Sequence, residues 1–198
     1  NSRGLSLERL ARLKFRLRNV IEAKINSCRD EFRHTCYQQT LFGPHHRKFE
    51  VSDVCSFTFG EGSYSPNWYY DGGWHFNKHY FKLIGELKSD GEEFDCARFI
   101  DSLPEVKYWV RNLERRPQSA FWLQTSTDRF YPDFVAQLTD GRILAVEYKG
   151  EHLWSNDDSK EKRAVGELWA DRSGGKCLFV MPKGKDFSAI KTNMSTYS

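Results

Sequence analysis

A chain of 198 residues, 39% of them hydrophobic, is long enough to bury the core of one ordinary domain with a smaller piece appended. Its 30 basic and 27 acidic residues leave a net charge of +3, which permits a nucleic-acid partner without demanding one. Five widely spaced cysteines with no CxxC pair argue against a disulfide framework or a zinc ribbon, and no apolar run reaches membrane length, so a reducing, cytoplasmic setting is expected.

The sequence opens on Asn1 with neither methionine nor signal peptide, as expected of a piece of something longer. It has no GxxxxGK[ST] loop, so any ATP-driven motor lies outside it. From Ser6 to about Leu41 the spacing of Leu7, Leu10, Leu13, Leu17, Val20, Ile21 and Ile25 predicts helix, with Arg and Lys over much of the rest. The preferred reading is a helix packing on a neighbouring domain or connecting to a motor, ahead of one that reads DNA.

Phe42 to Asp53 carries loop chemistry, and Val54 to Phe59 alternates like a strand. The aromatic segment Trp68-Tyr-Tyr70, Trp74, Phe76, Tyr80 and Phe81, interleaved with Lys78 and Lys82, suits either stacked bases or the core of a small sheet. The sheet is preferred. His75 and His79 have zinc-helix spacing but no third ligand, and are read as two surface histidines.

Gly91 to Leu103 predicts a short helix stopped before Pro104. Glu93, one turn before Ala97 and two before Ile100, projects to its buried side, although Glu92, in step with Cys96 and Phe99, competes for that place. Val106–Asn112 and Ala120–Thr125 read as a first strand and its continuation.

Next come two strand runs, Arg129 to Lys149, hinged at Asp140-Gly141. Glu147 and Lys149 share one face while Tyr148 points the other way. A two-residue loop sets Asp133 opposite Tyr148. A three-residue loop, Thr139-Asp140-Gly141 with Gly141 left-handed, sets it opposite Glu147. The residues permit both; joint action of Asp133, Glu147 and Lys149 requires the second. Two carboxylates and an ammonium on one patch suit a hard divalent cation such as Mg²⁺, with the lysine placing or deprotonating a water and balancing developing charge.

Asp157-Asp-Ser159 offers an N-cap for a helix to about Arg172, with Ala164, Val165, Leu168 and Trp169 inward and Lys162 at the edge, placed to meet a phosphate. Lys160 and Arg163 read as solvated. Gly174-Gly175 ends the helix, Cys177 to Met181 is a last strand parallel to its neighbour, and Pro182 onward reads as a loose polar tail.

Pro132-Asp133 followed by Glu147-Tyr-Lys149 resembles the PD-(D/E)XK signature of the restriction-endonuclease-like nucleases. With Trp109-Val-Arg-Asn112, Asp140-Gly-Arg142 and Lys162-Arg-Ala-Val-Gly-Glu-Leu-Trp169, the text from about Glu93 to Pro182 is similar to the C-terminal nuclease region of type III restriction Res subunits and related DEAD/DEAH-type helicases. The resemblance implies an α/β fold, a mixed sheet of four or five strands flanked by helices. It implies DNA cleavage with Mg²⁺ or Mn²⁺ held by Asp133, Glu147 and the Tyr148 carbonyl, with Glu93 as a further acid. It also implies a restriction or anti-phage role beside a helicase motor in the same polypeptide. The expected organisation is a connector and aromatic extension over 1–84, the nuclease-like core over 85–183 and the tail over 184–198. The competing reading is a non-catalytic DNA-binding or docking domain of a helicase.

Overall fold

A computed structural model of the protein describes residues 18–28, 59–60, 62–116 and 119–196. The chain divides into two units, Asn1–Lys48 and Phe49–Ser198. In the first unit residues 18–28 are helical, with Val20, Ile21 and Ile25 exposed. The expected loop from Phe42 and the strand starting at Val54 fall almost wholly outside the described residues. No helix among the described residues is long and apolar enough to cross a membrane.

The second unit is mixed α/β. Its elements are helix α1 (Glu92–Ser102), strands β1 (Val106–Arg111), β2 (Leu123–Gln124), β3 (Arg129–Phe130), β4 (Phe134–Leu138) and β5 (Ile143–Val146), helix α2 (Asp157–Arg172), strand β6 (Cys177–Val180) and helix α3 (Ser188–Thr196). Four strands form one sheet in the order β1-β4-β5-β6, antiparallel except for the β5–β6 pair, which α2 bridges in parallel. Ala120–Thr125 does not continue β1: Leu123–Gln124 pairs with Arg129–Phe130 in a separate two-stranded ribbon. The Thr125 hydroxyl donates to the Asp128 carbonyl at 2.7 Å and accepts from the Asp128 amide at 3.1 Å, so local side-chain bonding closes that turn.

Both faces of the sheet are covered. On one, Trp109, Phe134, Ala136, Leu144, Val146 and Leu178 pack with Ile100 of α1 and with Ile190 and Met194 of α3. On the other, Ala145 and Phe179 meet Phe130, Met181 and the α2 residues Trp169 and Ala170. The C-terminal stretch is therefore no loose tail. Its period puts Ile190 and Met194 on one stripe, both are buried, and Arg142 donates to the Met194 carbonyl at 3.1 Å.

The aromatic segment is no separate sheet either. Among residues 62–87 the only pairings are the isolated bridges Tyr69–Gly85 and His79–Trp109. Ile84 and Leu87, with Tyr70 and Phe76 against them, join the main core. Helix α2 is capped one residue earlier than expected, by Asn156, whose side chain accepts from the Ser159 amide at 2.7 Å. Arg163 is not merely solvated, because it lies 3.4 Å over the Trp154 ring.

Gly166 lets α2 approach the sheet: a Cβ there would stand 2.4 Å from Cδ1 of Phe179. Gly166→Ala gains helix propensity, about 1 kcal/mol, yet must displace a buried ring. A net loss of about 1–2 kcal/mol is expected, read as a lower urea midpoint at unchanged slope. A midpoint at or above that of the parent chain would show that Phe179 yields freely.

Candidate active site

The loop between β4 and β5 decides the site. Register pairs Phe134 with Val146 and Gln137 with Ile143, Gly141 is left-handed at φ 91°, and the Leu138 amide donates to the Arg142 carbonyl at 2.8 Å. This is the three-residue loop, Thr139 to Gly141, and its register continues to Asp133 opposite Glu147. Both acids stand just beyond the paired strand ends, while Tyr148 turns to the other face and packs on the main core.

The Asp133 carboxylate accepts from the Tyr148 amide at 2.7 Å. Glu147 is only 4% exposed, and Lys149 Nζ lies 2.9 Å from its Oε1. Its other oxygen, Oε2, is buried with no nitrogen or hydroxyl donor among the described residues, beside the carboxyl of Asp133. Both acids have raised pKa values. Burial is the main cause for each; Asp133 pushes Glu147 further up, and Arg111 and then Lys149 pull Asp133 back down. Burial pulls the Lys149 pKa down, but Glu147, Asp133 and Asp158 together outweigh it and raise it.

Glu93, not Glu92, faces this group. Glu93 Oε1 is 2.5 Å from Arg111 Nη2, a contact of opposite charges rather than an aligned hydrogen bond. Burial raises its pKa against the lowering pull of Arg111. Glu92 is exposed and takes the Tyr148 hydroxyl as a donor. Lys162 also reaches the site: it lines the same cavity of about 260 Å³ as Glu93, Asp133, Glu147 and Lys149, and pairs with Asp158 at 2.8 Å. The structure thus gathers Glu93, Asp133, Glu147, Tyr148, Lys149 and Lys162 around one hollow.

Sequence reasoning gave Arg111 no role, although it is the cation between Glu93 and Asp133. The available signal was alternation: Arg111 follows buried Trp109 by two residues, placing a charge where an apolar side chain belongs. Arg115 and Arg129 at the rim were missed as well. Arg115 adopts a left-handed backbone, φ 55°, that no sequence pattern announced.

His79 supports this end of β1 and is not a surface residue. Its Nδ1 lies 2.8 Å from the Phe81 carbonyl and its Nε2 accepts from the Arg111 amide at 3.2 Å, so the neutral ring satisfies both partners. Burial lowers its pKa to about 4. An unfolded imidazole titrates near 6.5, so between there and 4 the unfolded chain takes a proton that the folded chain refuses. Stability is full above that window and falls as pH drops through it, by about 3 kcal/mol. The difference in unfolding free energy between the parent chain and His79→Gln should therefore shrink from pH 7 to pH 4; a constant difference would refute the buried neutral ring.

The donor set suits a hard cation. Among the described residues no three His, Cys, Asp or Glu side chains are gathered into a complete ligand group, but Mg²⁺ asks for only one or two carboxylates, with water and substrate oxygens for the rest. Asp133 beside Glu147, with a buried oxygen lacking any donor, meets that demand. No protein-family model, no curated protein and no solved structure matches this chain.

Proposed function

We propose that this is a metal-dependent endonuclease domain of the restriction-endonuclease-like fold, hydrolysing DNA phosphodiester bonds within a larger helicase-bearing restriction or anti-phage protein. The observation that carries the reading is the buried Oε2 of Glu147, with no nitrogen or hydroxyl donor among the described residues, beside Asp133, with Lys149 at 2.9 Å from Glu147 Oε1 on the same patch. The strand-turn-strand with α2 following it is the context in which the resembled signature has chemical meaning.

Asp133, Glu147 and the Tyr148 carbonyl would hold Mg²⁺ or Mn²⁺, which when bound polarises a phosphoryl oxygen and acidifies water. The Tyr148 amide fixes Asp133 in place. Lys149, held protonated by Glu147, orients the attacking water and sets positive charge where the phosphate becomes more negative. Lys162, on the cavity wall, meets a flanking phosphate. Glu93 acts through Arg111.

The test is cleavage of supercoiled plasmid in Mg²⁺ or Mn²⁺. Nicking is expected from the parent chain and not from Asp133→Ala. Activity that survives Asp133→Ala overturns the assignment.

A further inference from the structure

We infer that the site takes a single divalent cation, because the Arg111 guanidinium permanently occupies the place of a second. The inference rests on the metal-site reading above and adds its stoichiometry.

Sites that use two metals set them about 4 Å apart, bridged by a shared acid. Here the shared acid would be Asp133, with Glu147 on one side and Glu93 on the other. The gap between Asp133 and Glu93 is filled: Arg111 Nη2 is 2.5 Å from Glu93 and 3.6 Å from Asp133. The guanidinium is also pinned. Its Nη1 donates to the carbonyls of Asn112 at 2.7 Å and Asp133 at 2.9 Å, and the residue is 8% exposed. Swinging it away would leave the Asn112 carbonyl without its donor and strip the Glu93 and Asp133 carboxylates of their cation.

The charge balance points the same way: the carboxylates of Glu93, Asp133 and Glu147 already face the cations of Arg111, Lys149 and Lys162, so a second divalent ion would meet little unbalanced negative charge. Arg111 therefore serves as a built-in counter-ion, and Glu93 as its positioning partner rather than a metal ligand.

The experiment is Mn²⁺ binding to the intact chain without DNA, by calorimetry and by electron paramagnetic resonance. One Mn²⁺ per chain is expected, with no spin-coupled pair. Two per chain, or a coupled-pair spectrum, overturns the inference and leaves the metal-site reading standing. No binding at millimolar Mn²⁺ defeats that reading and the inference with it. Glu93→Gln should still bind one ion, within about threefold of the parent affinity, whereas Asp133→Asn should lose about 100-fold or more. A loss in Glu93→Gln as large as in Asp133→Asn makes Glu93 a ligand and overturns the inference. Arg111→Met, its fold checked by circular dichroism, should acquire a second, weaker ion. A folded variant that still takes one overturns it, and if Arg111→Met does not fold, the first two measurements decide.

Discussion

Lys149→Ala is expected to lower the rate of plasmid cleavage by about 10³-fold, equivalent to roughly 4 kcal/mol of transition-state stabilisation. Mn²⁺ affinity should hold or rise, since the lost ammonium lies 2.9 Å from Glu147 and competes with a cation for that carboxylate. Falling rate with unfallen affinity separates a group that acts on the reacting phosphate from one that merely supports the fold. Lys149→Arg should recover part of the rate. A Lys149→Ala chain within tenfold of the parent rate would remove Lys149 from the chemistry.

Trp109→Ala should destabilise the second unit by about 3–5 kcal/mol, the usual cost of emptying a large aromatic site. The indole is fully buried and its rings lie 5.3 Å from Phe76, 5.8 Å from Phe134 and 4.7 Å from His79 by centroid. Its Nε1 donates to Asp101 at 2.7 Å, and the same carboxylate accepts from the amides of Asn77 and Lys78 at 3.0 and 2.9 Å. One side chain thus ties α1, β1 and the aromatic segment together. A fall in melting temperature of about 8–16 °C is expected, with a smaller fall for Trp109→Phe, which keeps most of the ring volume. A loss under about 1 kcal/mol would mean that the neighbours collapse into the hole.

Where sequence reasoning succeeded, it rested on local chemistry. Pro104 forbids α1 to continue, Gly174-Gly175 supplies two left-handed residues after α2, and Asp140-Gly141 marks the hinge. The choice between loop lengths needed the tertiary structure, because both are good turns. Long-range contacts account for the rest. Nothing near Ile190 and Met194 reveals that a sheet waits for them, and the aromatics of residues 68–81 look alike whether they pair with one another or lie against a distant helix. Arg111 went unassigned because its meaning lies in Glu93 and Asp133, 18 and 22 positions away along the chain. The α/β class and the hairpin were legible; the internal cation was not.

Strands β4 and β5 are apolar on both faces, with Phe134, Val135, Ala136, Leu144, Ala145 and Val146 all buried. Greasiness therefore does little to forbid a slip by one position, and the left-handed glycine carries most of that duty. An insertion or deletion of one residue there would exchange odd for even along β5, sending Glu147 and Lys149 to the wrong side of the sheet while leaving its interior nearly as oily as before. The counting error would sit at the far end of a five-residue strand, about 17 Å from the acids it silences.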